Sequence, residues 1–464
     1  MKSTYLFAAV LVFTLTGCTK DALNQKPDAT IAEPSTITDY QQLLDGLDAG
    51  AYTNSPGLAS YRSLGDFLSD ELGVSDANFN SFFAGTPFIK GVITWDKTMF
   101  NSLTTIPEWD RQYQEILTAN LSLEGLAGIK TTAANQATWN QAEGMALFIR
   151  GQLFYNLAQF WAEPYNTATA TTDPGIVLRI HSDVSIPSKR SSVKDTYTQI
   201  LSDLKGSASL LLNASGTGTQ VSLIRPSLAA AYGMIARTCL AMGDSVGVQA
   251  YADSALQLYS TLMDYNTVQS FNPFNAETVY YTTDGEGAIG TSFGPWRIDS
   301  SFVALYDSND LRKTLFFTNN SFVGGYAFIG DYSGYHVFTG IATDELYLLR
   351  AEGYARMGNT AAALTDLNTL LVNRYKTGTF VPRTAVDASD VLTQIITERK
   401  KELVERGCRW TDLRRLNTDP RFAVTLSRTL LGQTYTLPPN DSRYTLQIPA
   451  YIINASNGTI TQTP

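Results

Sequence analysis

The chain has 464 residues, 44% hydrophobic and 17% charged, which is enough apolar material for one large core or two to three ordinary ones. A net charge of −9 argues against nucleic acid, whose phosphates need a basic stripe, and against docking on anionic lipid through protein charge. With 2 histidines there is little scope for imidazole catalysis or a zinc site, and neither a metal nor a cofactor is expected.

The first element is a leader. Lys2 supplies a positive start, and Tyr5 to Leu15 is an almost unbroken apolar run, too short to span a bilayer. Leu15-Thr16-Gly17-Cys18 follows and resembles a bacterial lipobox. Cleavage after residue 17 would leave the Cys18 thiol free to take diacylglycerol, and two or more acyl chains hold stably at about 0.8 kcal/mol per buried methylene. Residues 18–35, with Pro27 and Pro34, read as an extended tether. Within it Lys20-Asp21 resembles a signal for display on the outer face of an outer membrane.

From residue 36 to 464 helical periodicity dominates, as expected for one domain. Helices are predicted over Thr36 to Ala51, Trp109 to Leu126, Gln141 to Trp161 and Ser191 to Leu211. Two later segments resemble each other: Leu228 to Leu256, interrupted by Gly243-Asp244, and Leu346 to Leu370, interrupted by Gly358-Asn359. Small residues (Ala229, Ala230, Ala236; Ala351, Ala355) allow two helices to pack closely, and each glycine can stop a helix in the left-handed conformation. This is the grammar of tetratricopeptide-like hairpins. Cys239 and Cys408 fall in such helical patterns and read as buried thiols. Two stretches, 65–101 and 272–340, are rich in Gly, Asn and aromatics and read as long loops with a few short strands, including Tyr326 to Ile329.

The run Glu398 to Arg415 (ERKKELVERGCRWTDLRR) resembles the signature helix of the SusD/RagB family of nutrient-binding lipoproteins. Trp109 to Asn120, Arg190 to Leu204, Arg225-Pro226, Asn309 to Lys313 and Leu349 to Ala355 are similar to further family motifs, in the same order. Arg406 and Cys408 depart from the residues usual at their positions. In this run Glu398–Lys401 and Glu402–Arg406 are spaced as helix-surface ion pairs, each worth a few tenths of a kcal/mol, with Leu403, Val404, Trp410 and Leu413 as the buried side.

The resemblance implies a mostly α fold, with a helical-pair scaffold, long loops and a few short strands. It also implies a role: a protein anchored outside the outer membrane that binds an oligosaccharide, or in some branches a peptide, and passes it to a TonB-dependent (SusC-like) barrel transporter. No catalytic residue is implied. Sugar rings stack on aromatic side chains while Asn, Asp and Arg bind their hydroxyls. On that chemistry Trp296, after Gly294-Pro295, is the first candidate platform, joined by Tyr280, Tyr281, Phe79, Phe82, Phe83 and Phe88. Asn78, Asn80, Asp284 and Arg297 are the candidate polar contacts. Trp109, Trp139, Trp161 and Trp410 lie in helical patterns and read as core, and Trp95 lies just before a helix.

Enzyme readings are weaker. Gly290 to Gly294 fits a nucleophile elbow, but Pro295 biases the next turn away from helix and His336 is the one downstream histidine. A carboxylate-pair glycosidase and a pure interaction scaffold remain as alternatives.

Overall fold

The computed structural model describes residues 33–47, 62–211, 223–284, 294–333 and 337–463. Cys18, its leader, nearly all of the tether, Ser292 and His336 lie outside the described residues.

α1 (Ile37–Asp45) opens with a capping box, in which the Thr36 hydroxyl accepts from the Asp39 N–H and the Asp39 carboxylate accepts in return. α2 (Leu64–Leu68), β1 (Leu72–Val74) and α3 (Pro87–Thr94) follow, then the long pair α4 (Pro107–Ala127) and α5 (Gln136–Trp161). β2 (Pro174–Val177) and β3 (Arg190–Ser192) form a ribbon leading into α6 (Val193–Leu210). Next come α7 (Leu228–Met242), α8 (Ser245–Leu258), β4 (Thr278–Tyr280), β5 (Trp296–Ile298), α9 (Ser300–Val303) and α10 (Arg312–Leu315). β6 (Phe317–Asn320), β7 (Gly325–Phe328) and β8 (Ile341–Ala342) precede α11 (Thr343–Arg356) and α12 (Thr360–Leu371). The chain continues through α13 (Ala388–Glu402), α14 (Arg409–Leu416) and a hairpin of β9 (Leu426–Leu430) and β10 (Gln433–Leu437).

The helices stack in chain order: α4 on α5, α5 on α6, α6 on α7, α7 on α8, α8 on α11, and α11 on α12 and α13. The two predicted hairpins share one turn chemistry. Gly243 (φ 74°) and Gly358 (φ 82°) are both left-handed. The next N–H reaches back over the turn in each, Asp244 to Cys239 O at 3.0 Å and Asn359 to Tyr354 O at 2.9 Å. Asp244 and Asn359 then cap the second helix through the N–H groups of Gly247 and Ala362. The chain is therefore mostly helical, with short strands and a main core running through α2 to α11. A second core, including Leu348, Leu367, Ile395, Cys408 and Leu416, joins α11 to α14. Cys239 and Cys408 are both buried free thiols.

Three expectations are corrected. Residues 65–101 are not simply loop: they hold α2, β1, α3 and helical turns at Asp76–Asn78, Phe79–Phe83 and Met99–Ser102. Trp95 ends α3 in a left-handed conformation (φ 55°) instead of preceding a helix. The signature run is also not one helix. It breaks between α13 and α14, where Glu405 (φ 54°) and Gly407 (φ 64°) are left-handed. A Cβ on Gly407 would lie 2.7 Å from Arg62 Cβ. Arg62 donates to Gly407 O at 2.8 Å, and Gly407 N–H donates to Asp66 Oδ2 at 3.0 Å.

The break redirects the charges. Glu402 does not pair with Arg406: it accepts from Arg312 and Arg374, each at 2.7 Å, while Arg406 meets Asp344 at 3.1 Å. Glu398–Lys401 does form, at 3.0 Å, but buried alongside Arg312 and Asp310. Leu403, Val404, Trp410 and Leu413 are buried as expected.

Candidate functional site

The stretches 65–101 and 272–340 meet in one antiparallel sheet of order β1-β5-β7-β6. Gly73 sits opposite Arg297 and Val74 opposite Trp296, so Trp296 and Ile298 point into the core and Arg297 points out. Beyond β1, Ser75 caps a helical turn by accepting from the Asn78 N–H at 3.2 Å. The buried Asn78 amide then donates to Pro295 O at 3.1 Å and Phe322 O at 3.0 Å. Asn78 thus ties together the first region, the start of β5 and the β6–β7 turn.

The next turn, Phe79–Phe83, is a wide π-type turn, a feature often found at functional sites. It turns Phe79 inward and leaves Phe82 50% exposed. A ladder of rings runs outward from the core. Phe67 lies 4.8 Å from Trp296, Trp296 lies 5.5 Å from Phe83, and Phe83 lies 6.4 Å from Phe82. Phe82 meets Phe322 edge-on at 5.6 Å, and Phe322 is itself 53% exposed. Asn80, in the same turn as Phe82, is exposed, as is Asn319 on β6, and Arg297 on β5 is half-buried. Arg297 Nη1 donates to Gly324 O at 3.2 Å, which fixes the guanidinium beside the turn that carries Phe322.

On the outward side of β1 and β5 lies a cleft of about 670 Å³, lined among others by Asp70, Glu71, Arg297, Leu305, Lys400 and Arg428. Asp70 pairs with Lys400 at 2.8 Å and with Arg409 at 2.7 Å. Burial works to raise the Asp70 carboxyl, but Arg409 and Lys400 outweigh it and hold the group well below the usual carboxylate range. Burial, and then the Asp70 charge, push the Glu71 carboxyl up to about 8. Arg428 spends its donors on the backbone carbonyls of Phe67, Leu72, Val92 and Ile93 and lies 4.7 Å from the Trp95 ring. Burial lowers its pKa to about 10.

The sequence-selected residues divide accordingly. Phe82, Phe83 and Asn80 share one turn near the surface, while Arg297 lies on the outward face of β5, bonded to the turn that carries Phe322. Trp296, the first candidate platform, is 2% exposed and packed between Phe67 and Phe83, so it supports the ridge and offers no open face. Tyr280 is buried edge-on against Phe148, and Tyr281 is buried 4.2 Å from Phe274. Phe79 is core, and Phe88 stacks on Phe100 at 5.7 Å. Asp284 is buried and accepts from the Ser63 N–H at 3.0 Å and the Ser63 hydroxyl, with burial raising its carboxyl to about 6. Phe322 and the cleft residues Lys400 and Arg428 were not selected. A lone phenylalanine before Val323-Gly324-Gly325 was the available sign of an aromatic at a turn tip.

One group of carboxylates gathers as a metal site might: Glu277, Asp344 and Glu402 lie within 4.8 Å of one another. Arg374 already pairs with Glu277 at 2.8 Å and Glu402 at 2.7 Å, and Arg406 with Asp344 at 3.1 Å. The cluster is therefore a charge-matched core network.

Two family models match the chain. Residues 21–240 match a SusD-like model described as starch-binding and associating with outer membrane, and residues 343–464 match the SusD family model. Among solved structures, a SusD superfamily protein from Bacteroides thetaiotaomicron aligns with TM-score 0.73 at 19% identity, over 92% of this chain and 100% of its own. A SusD-like carbohydrate binding protein from Bacteroides vulgatus aligns at 0.68 and 21% identity, over 92% and 97%. Surface glycan-binding protein A from Bacteroides fluxus aligns at 0.69 and 16% identity, over 93% and 100%. No curated protein matches the sequence. Among the described residues no helix is long and apolar enough to cross a membrane.

Proposed function

The chain belongs to the SusD/RagB family, and from that premise we propose that it is a glycan-binding protein of the outer membrane, anchored through Cys18 and facing the cell exterior. It captures an oligosaccharide without cleaving it and passes it to a TonB-dependent barrel transporter. The observation that supports capture is the exposed ridge of Phe82 and Phe322, backed by Phe83 and Trp296. Ring faces held by a packed ladder bind a pyranose with little ordering cost, and Asn80, in the turn of Phe82, and Arg297, bonded to the turn of Phe322, offer partners for hydroxyls. The printed names of the B. vulgatus and B. fluxus relatives, one carbohydrate-binding and one glycan-binding, support the same reading.

The test is affinity electrophoresis of the detergent-solubilised full chain through gels cast with different polysaccharides, with reducing-sugar release measured alongside. Retardation without sugar release is expected. Phe82→Ala with Phe322→Ala should weaken binding at least tenfold, or about 1.4 kcal/mol. Release of reducing sugar would point to a hydrolase, and binding of peptides alone would point to the peptide-binding branch. Radiolabelled palmitate should enter the wild type and not Cys18→Ala.

A further inference from the structure

We propose that the cleft beside the aromatic ridge receives a carboxylate-bearing sugar, with Arg297 as the group that holds the acid. This rests on the glycan reading and names the class of glycan.

The first argument is local charge. The chain as a whole carries −9, yet the cleft is lined by three cations, Arg297, Lys400 and Arg428, beside three carboxylates, Asp70, Glu71 and Asp299. Glu71 adds no full negative charge near neutral pH, because burial pushes its carboxyl up to about 8. Asp70 is shared between Lys400 and a fourth cation, Arg409. Arg428 bonds to neutral carbonyls, which fix its guanidinium, and Asp70 is the acid whose charge reaches it. Acidic groups more than about 10 Å away are screened by salt, so the local balance decides what enters.

The second argument is Arg297 itself. No carboxylate pairs with it among the described residues. Asp299, its neighbour on the strand end, accepts from the Ser301 N–H at 2.7 Å; its carboxyl is held low first by hydrogen bonds from Ser301, and Arg297's charge contributes least. Arg297 is half-buried and held by the bond from Nη1 to Gly324 O, so its fork is oriented before a ligand arrives. The strand position opposite is Gly73, where an added Cβ would meet nothing within 4 Å, so the cleft floor beside Arg297 is open, while the guanidinium itself leans toward Gly324 and Gly325. A planar carboxylate fits such a fork through two parallel hydrogen bonds. Leu305, 44% exposed, gives the cleft an apolar wall for the C–H face of the same ring.

The test uses the full chain in detergent and three uronate polymers, polygalacturonate, alginate and glucuronoxylan, each paired with its carboxyl-reduced neutral form. Sulfated dextran and polyglutamate serve as further anions. Calorimetry should show at least one uronate polymer bound tenfold or more tightly than its reduced form. That ratio should fall toward one in Arg297→Gln. It should also fall in Gly73→Asp, which adds a carboxylate opposite Arg297 in open space, and unfolding midpoints would confirm that both variants fold. Equal affinity for acid and reduced forms, or a ratio that both variants leave intact, overturns the proposal while leaving glycan binding in place. Tightest binding to sulfated dextran or polyglutamate also overturns it, and failure to bind any polysaccharide sinks the glycan reading as well.

Discussion

Arg312→Met probes what holds the signature run in place. The Arg312 side chain is 0% exposed and meets Asp310, Glu398 and Glu402, each at 2.7 Å. Removing one partner from a buried ionic network costs about 3–5 kcal/mol, because carboxylates are left in the core with too little compensation. Here each acid keeps at least one cation. Lys401 stays 3.0 Å from both Asp310 and Glu398, and Arg374 stays 2.7 Å from Glu402. The expected loss therefore sits at the low end, about 3 kcal/mol, a large share of a typical total of about 5–15 kcal/mol. Urea unfolding followed by circular dichroism reads it as a lower midpoint with an unchanged slope. The matched control is Arg421→Met. Arg421 pairs with Asp419 at 2.6 Å, but its side chain is 46% exposed, so screening should keep the loss below about 1 kcal/mol. If Arg312→Met costs no more than this control, the network does not anchor the run and the reasoning fails.

Two further outcomes follow from the break in that run and its acidic neighbours. Gly407→Ala should be more destabilising than Gly243→Ala: both are left-handed, costing about 1–2 kcal/mol for a Cβ, but at Gly407 the methyl would also collide with Arg62, whereas Gly243 faces open space. Equal unfolding midpoints for the two variants would refute the contact. The Glu71 carboxyl, raised from 4.5 to about 8 by burial, keeps a proton in the folded state that the unfolded chain has already released. The stability this contributes is complete below the lower value and drains away as pH climbs to the upper one. Glu71→Gln, whose carbonyl can still accept from the Glu405 N–H that Glu71 holds at 3.2 Å, should flatten that decline. Thermal melts of both proteins at several pH values across the window check it, and parallel slopes would contradict the assignment.

The hairpins at Gly243 and Gly358 were legible because everything that makes them is local: an apolar period, small residues and a glycine followed by a capping Asp or Asn. The signature run was legible as a family mark and not as a shape. Its break is fixed by Arg62 and Asp66, more than three hundred residues earlier in the chain, and no helical period reveals such a partner. The same distance hid the fate of Glu402, whose partners Arg312 and Arg374 lie on other segments. At the candidate site, composition picked out two stretches that the structure joins in one sheet, but it could not say which rings face out. That depends on strand alternation at Trp296 and on the wide turn at Phe79–Phe83. Phe82 is among the candidate rings of the sequence and Phe322 is not, because one aromatic at a hairpin tip carries no periodic signal.

The clasp made by Asn78 has a consequence for how specificity can change. Its amide grips the main-chain oxygens of Pro295 and Phe322, which any residue at those positions supplies. Side chains at the tips can therefore be exchanged in the course of divergence without loosening the joint that presents them: new tips sit on an old mount.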